Sequence, residues 1–229
     1  MTFYEFLKVA HVVVFAVWFG TDLATFHLSR KVIDRSIEVP TRRVLAGAML
    51  GVEVLARLCL PTMLALGLSL AIEGGYVGAA SAWIAVIWVV TAGWVAMVWT
   101  IHLQSHRGQG GELAGRLAHV DLALRSLVCL GLWVAAVWSL AVDDGPFASS
   151  WLAAKVLLFA LIMTCGIAIR FLLRPFSAAF GRLVSDGSND ETESTMAAAI
   201  RRAQPLVAVI WFSLLSATVI GVLQRLPWE

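Results

Sequence analysis

The chain has 229 residues, of which 60% are apolar and only 14% are charged, and its formal net charge is +2. Soluble domains carry about 25% charged residues, so this composition excludes an ordinary soluble domain. The sequence contains no basic cluster with interleaved aromatic residues, so nucleic acid is not expected as a partner.

Six apolar stretches are each long enough to cross a bilayer, since about 20 helical residues span the ~30 Å hydrocarbon layer. In chain order they cover about residues 3–28, 46–72, 82–106, 119–142, 150–174 and 203–224. Backbone polar groups in lipid must pair within their own segment, so each stretch is expected to be a helix. The sequence therefore predicts an all-α fold, a polytopic membrane bundle of six transmembrane helices that forms one domain over residues 1–229.

Basic residues concentrate in the connections that follow the first, third and fifth spans. The basic residues in or beside these connections are Arg30, Lys31, Arg35, Arg42, Arg43, Arg107, Arg116, Arg170, Arg174, Arg182, Arg201 and Arg202. The positive-inside rule places these connections in the cytoplasm, with both termini on the periplasmic side of a cell inner membrane. Within the fifth connection, the acid- and serine-rich stretch 185–195 is expected to be a flexible loop.

An internal repeat relates the second and third spans to the fourth and fifth. The sequence VEVLAR at 52–57 recurs as VDLALR at 120–125, and WIA at 83–85 recurs as WLA at 151–153. Both copies keep the same order and orientation, which is typical of parallel repeats related by an axis along the membrane normal.

Each copy of the repeat carries an acidic residue four positions before an arginine, Glu53 with Arg57 and Asp121 with Arg125. This spacing puts both groups on one helical face, where they can neutralise each other in lipid. Alternatively, the arginines face the bundle interior and hold an anionic group such as a carboxylate or propionate. Arg57 lies nearer to mid-span and is the better candidate for that role.

His11 lies inside the first span, and Lys155 lies about one turn inside the outer end of the fifth. An imidazole in a membrane-spanning helix is costly unless it binds a group, pairs with one or lines a wet cavity. Lys155 can extend its ammonium to the headgroups. If the two helices are neighbours, however, His11 and Lys155 share one cavity near the outer face.

The other histidines lie at the basic ends of the spans: His27, His102, His106 and His119. The spacing of His102 and His106 puts two imidazoles on one helical face, as in many metal sites. With Met97 and Cys59 they predict an alternative, a copper-handling or transport protein. The simpler interpretation is that they are polar residues at the membrane boundary.

Several short motifs bear on a family: Lys8-x-x-His11, Trp18 seven residues on, Arg57-Leu58 followed by Pro61, Trp151-x-x-x-Lys155 and Arg202-x-Gln-Pro205. With these motifs the chain resembles the HemJ family of small membrane protoporphyrinogen IX oxidases. CopD-like membrane domains linked to copper handling share the Trp-x-x-x-Lys feature. The chain differs from the HemJ pattern by an additional helix pair and by the absence of an acidic residue before Pro205.

The resemblance implies a haem b protein with His11 as an axial iron ligand and Lys155 as an essential residue, with Arg57 beside them. Trp18, Arg57, Arg125 and Lys155 would then shape the cofactor pocket. If the protein is an enzyme, it would oxidise a porphyrinogen- or quinol-type substrate, with Lys155 or Arg57 anchoring an anion or moving protons. A homo-oligomer, a larger membrane complex and a cofactor-free assembly subunit are the remaining alternatives.

Overall fold

The computed structural model of the chain describes residues 1–106, 111–142 and 144–226, apart from the side chains of Ser105 and His106. Over these ranges the chain forms helices and no strand. The helices are α1 (Phe3–Val32), α2 (Val39–Glu73), α3 (Ala82–His106), α4 (Glu112–Ala141), α5 (Ser150–Leu172), α6 (Arg174–Asp186) and α7 (Asp190–Leu223). With α5 and α6 taken together, six helical segments are long and apolar enough to cross a membrane. The predicted all-α bundle of six membrane-spanning helices is confirmed over the described residues.

The spans pack around a closed ring. Each of α1 to α5 contacts the next helix in the chain, α5 also contacts α7, and α7 returns to α1. The short helix α6 packs mainly on α7 and also touches α2 and α5. Because every span has two neighbours in the ring, the inner faces of all six can border one central space.

Successive spans run in opposite directions, so the connections alternate between two ends of the bundle. The basic end holds the connection from α1 to α2, the end of α3, the start of α4, and helix α6. The opposite end, called here the His11 end, holds the chain's N-terminus and the connections from α2 to α3 and from α4 to α5. These last two connections are joined, since the backbone N–H of Ala148 donates to the carbonyl oxygen of Tyr76 at 3.0 Å.

The outer faces of the helices are apolar and exposed. Large apolar side chains on these faces include Val12, Val89, Leu127, Phe212 and Val222. A water-soluble protein rarely exposes so many large apolar residues in continuous bands. Together with the length of the spans, this surface indicates that the bundle sits in a lipid bilayer.

The stretch 185–195, expected to be a flexible loop, is instead mostly helical. Helix α7 begins at Asp190, well before the predicted start of the sixth span, and Pro205 lies inside the helix rather than in its first turn. The Asn189 side chain caps the helix by accepting from the backbone N–H of Thr192 at 2.9 Å. Acidic residues favour a helix N-terminus because the helix dipole is positive there. The polar composition of the stretch suggested a flexible loop, whereas its acidic residues lie in the first turn of α7, where they stabilise the helix.

A buried ion pair fixes this helix start to α2. The guanidinium of Arg42 donates to both carboxylate oxygens of Glu193, at 2.7 and 2.9 Å, and from Nε to the carbonyl oxygen of Val32 at 2.6 Å. The side chains of Arg42 and Glu193 are only 1% and 2% exposed. Apolar side chains of α6 and α7, among them Leu183 and Met196, complete this second core. The basic end is therefore a packed layer over the bundle.

Candidate functional site

His11 lies in the third turn of α1 and packs against α2. The Nδ1 atom of its imidazole is buried and makes no hydrogen bond with any described residue. A Cβ atom added at Gly67 would lie 3.7 Å from Cε1 of His11, so the ring packs on the glycine backbone of α2. An unpartnered imidazole nitrogen in an apolar interior is available to a proton or a metal ion.

Lys155 of α5 lies at the same end of the bundle as His11. Its ammonium group packs against α7 at Gly221, where a Cβ atom would collide with Nζ. Gly221 therefore leaves the room that the Lys155 side chain occupies, whereas at Gly67 a Cβ atom would only be in ordinary van der Waals contact with the His11 ring. Among the described helices, α7 lies between α1 and α5 in the ring, so the first and fifth spans are not direct neighbours. His11 packs on α2 and Lys155 packs on α7, and a cavity shared by the two stays a prediction.

Trp18 lies two turns beyond His11 on the same face of α1, because seven residues are nearly two helical turns. It is buried, and its indole meets the ring of Phe159 edge to face, with centroids 6.0 Å apart. Leu60 and Met63 of α2 belong to the same apolar cluster. This layer separates the His11–Lys155 pair from the charged groups nearer the basic end.

A cavity of about 550 Å³ extends from Trp18 towards the basic end and is lined by residues of all seven helices. Its floor is formed by apolar side chains, among them Trp18, Leu60, Ile162, Met163 and Ile210. Charged side chains line its middle and its mouth. Neither His11 nor Lys155 is among the described residues that line it.

Arg57 and Glu53 form one charged pair in this cavity. Arg57 donates from Nε and Nη2 to Oε1 of Glu53, at 3.2 and 2.6 Å. Half of the Arg57 side-chain surface is accessible although the residue lies in the middle of α2, because it faces the cavity. The arginine is thus both paired along its own helix and directed into the bundle.

Asp121 is the centre of a second charged group, which links three helices. Arg125 donates from Nε to both oxygens of Asp121, at 2.9 and 3.0 Å. Arg170 of α5 and Nε1 of Trp94 on α3 each donate to the same carboxylate at 3.0 Å. The i, i+4 pair follows from the sequence, whereas Arg170 and Trp94 join it only through tertiary packing.

Asp22 is a cavity residue that the sequence analysis did not select. Its carboxylate accepts a hydrogen bond from Nε1 of Trp211 at 2.7 Å, and Glu53 lies near enough to repel it electrostatically. No cationic side chain of the described chain forms an ion pair with Asp22. The sequence does mark Asp22 as a candidate, because an acidic residue within an apolar span indicates either an ion-pair partner or a functional role.

The resemblance placed Arg57 beside His11 and Lys155, and this expectation is wrong. Helix α2 meets His11 at Gly67, and Arg57 precedes that glycine by ten residues, which is about 15 Å along the helix axis. Arg57 and Arg125 line the cavity with Trp18 instead. The predicted cofactor residues therefore belong to two places, one on each side of the apolar layer.

The predicted alternative metal ligands are spread over three helices at the basic end. His27 is exposed, His102 lies against the ring of Trp99 with centroids 5.7 Å apart, and Nδ1 of His119 donates to the carbonyl oxygen of Gly115 on its own helix at 2.8 Å. The side chain of His106 lies outside the described residues. Within the described part of the chain, no group of three His, Cys, Asp or Glu side chains is placed to hold a metal ion.

No known protein-family profile, curated protein or solved structure matches this chain.

Proposed function

We propose that this protein is a membrane haem b protein with a redox role, in which His11 is an axial ligand of the haem iron. One observation carries the proposal: a buried imidazole nitrogen of His11 has no hydrogen-bond partner in the described chain. The motifs shared with the HemJ family support the same assignment.

The donor at His11 fits a haem by its chemistry, since a neutral imidazole is a common axial ligand and the surrounding helices are apolar. A bound haem iron would supply one-electron chemistry.

Lys155 is the residue that would act beside the haem. Its ammonium group forms no ion pair with a carboxylate of the described chain, so it is free to hold an anionic group of a porphyrinogen- or quinol-type substrate. In its neutral form, Nζ could instead accept a proton that such a substrate loses when it is oxidised. Arg57 lies too far along α2 to share this task.

We further propose that the protein lies in the inner membrane with its basic end in the cytoplasm. The support is the concentration of arginine at that end, where Arg42 and Arg174 lie, and the positive-inside rule. The His11 end and both termini would then face the periplasm.

The absorbance spectrum of the purified protein tests the haem assignment. Protein from haem-replete cells is expected to show a Soret band that shifts on reduction with dithionite. The His11→Ala variant is expected to lose at least nine-tenths of that band relative to protein, because the iron loses its axial nitrogen. The matched control is His27→Ala, which removes an exposed imidazole from the same helix and is expected to leave the band intact.

Two results would contradict this assignment. One is a colourless wild-type preparation, and the other is a Soret band that persists unchanged in His11→Ala. Copper in a haem-free preparation, lost in a His102→Ala variant, would instead favour the copper-handling alternative. Full cellular function of the His11→Ala and Lys155→Ala variants would favour a cofactor-free assembly subunit.

A further inference from the structure

The cavity between Trp18 and the basic end is lined by charged residues to which the haem proposal assigns no role. Its charged lining residues are four arginines and three carboxylates: Arg57, Arg125, Arg170, Arg174, Asp22, Glu53 and Asp121. The cavity thus has an excess of at least one positive charge. The additional positive charge is that of Arg174, which is exposed at the mouth, whereas the other three arginines are matched by the three carboxylates.

Some arginine N–H groups in this cavity also have no hydrogen-bond acceptor among the described residues. Arg57 uses Nε and Nη2 on Glu53, and Arg125 uses only Nε on Asp121, which leaves Nη1 of Arg57 and both terminal nitrogens of Arg125 without a described partner. The planar fork of arginine matches the two oxygens of a carboxylate.

The cavity is divided along its length into an apolar and a charged part. Its deep end is closed by Trp18 and its apolar neighbours, whereas the arginines lie between this floor and the mouth. At the mouth, Arg174 has no acidic partner in the described chain and stacks on the ring of Phe171 at 4.5 Å. A ligand that fits both parts has an apolar body and a single anionic head.

We propose that the cavity binds an amphiphilic carboxylate, with its head between Arg57 and Arg125 and its apolar body against Trp18. In this binding mode the ligand's carboxylate accepts hydrogen bonds from the arginine N–H groups that have no described partner. The ligand's hydrocarbon chain packs against the apolar side chains around Trp18. The site is separate from His11, and the proposal does not depend on haem binding there.

Binding of laurate to the purified protein in a nonionic detergent, followed by native mass spectrometry, tests the site. One laurate is expected to bind at saturation. Dodecanol has an alkyl chain of the same length but no charge, and it is expected to bind at least tenfold more weakly than laurate. Acetate has the carboxylate but no long alkyl chain, and it is also expected to bind at least tenfold more weakly. The Arg57→Gln variant is expected to weaken laurate binding about ten- to a hundredfold, the range for a lost charged hydrogen bond.

A gain-of-affinity variant separates a binding role from a folding role. Glu53→Gln removes the carboxylate that occupies Arg57, so laurate is expected to bind more tightly, a result that misfolding cannot produce. Arg116→Gln is the matched control: Arg116 forms an exposed i, i+4 pair with Glu112 on α4, away from the cavity, and its loss is expected to leave laurate binding unchanged.

Equal binding of laurate and dodecanol would overturn the proposal, because the cavity would then be only an apolar void. Equal affinity in wild type and Arg57→Gln would overturn it as well. Loss of laurate binding in Arg57→Gln with an unchanged Soret band would support a site independent of His11. Loss of the Soret band in Arg57→Gln but not in His11→Ala would place the haem in this cavity and overturn both assignments.

Discussion

At the scale of single residues, charges inside the membrane are neutralised first along a helix and then between helices. The pairs of Glu53 with Arg57 and of Asp121 with Arg125 follow from a spacing of four residues, and both form as predicted. Arg170 then reaches Asp121 from another helix, 49 positions later in the chain. The spacing of residues along the sequence predicts a partner on the same helix but carries no information on a partner from another helix.

The buried pair of Arg42 and Glu193 provides a residue-scale prediction on stability. Glu193→Gln leaves the Arg42 guanidinium buried without its counter-charge, which we expect to cost about 3–5 kcal/mol. The three buried cysteines provide the measurement, because a thiol-reactive dye reports their exposure on heating. The expected result is a melting temperature lower by at least about 6 °C.

An exposed pair at the same end is the control for that experiment. Arg35 and Asp190 lie 2.9 Å apart, but their side chains are 54% and 97% exposed. Arg35→Gln is therefore expected to change stability by less than about 1 kcal/mol. Equal melting temperatures for Glu193→Gln and Arg35→Gln would show that the Arg42–Glu193 pair is not buried in the protein.

At the scale of elements, the helices α6 and α7 show where composition misleads. The connection 175–202 is polar in overall composition. Within it, however, α6 has Phe176, Ala179 and Leu183 at helical spacing, and these three side chains form one buried face. Such a stripe is the usual sign of an amphipathic helix on a core. Its isolated length is too short for a stable helix, so tertiary packing on α7 is what stabilises it.

Truncation of the buried stripe tests the docking of α6. Leu183 is fully buried, so Leu183→Ala is expected to cost about 2–5 kcal/mol and to loosen α6 from α7. Limited trypsin digestion measures this as faster cleavage after Arg182. The neighbouring Val184 is 38% exposed, and Val184→Ala is expected to leave the cleavage rate close to that of wild type. A wild-type cleavage rate in Leu183→Ala would contradict the packing.

At the scale of the whole molecule, six spans bring the start of α1 and the end of α7 to the same end of the bundle, opposite the end that holds Arg42 and Arg174. Ser36 lies in the connection at the basic end, and Ser81 lies at the opposite end. In intact cells, a membrane-impermeant thiol reagent is expected to label Ser81→Cys and to label Ser36→Cys only after permeabilisation. The native cysteines are buried, so their background is small. The reverse labelling pattern would show that the orientation is wrong.

The sequence by itself determined the number of spans, their helical character and the two acid–arginine pairs. Span length follows from bilayer thickness, and helix formation follows from backbone pairing in lipid, so both depend only on local composition. Tertiary structure alone decided that α7 closes the ring on α1, and that Arg57 lines the cavity nearer the basic end while His11 and Lys155 do not. These positions depend on which helix faces pack together, and residues as distant in sequence as Asp22 and Trp211 meet only when the ring closes.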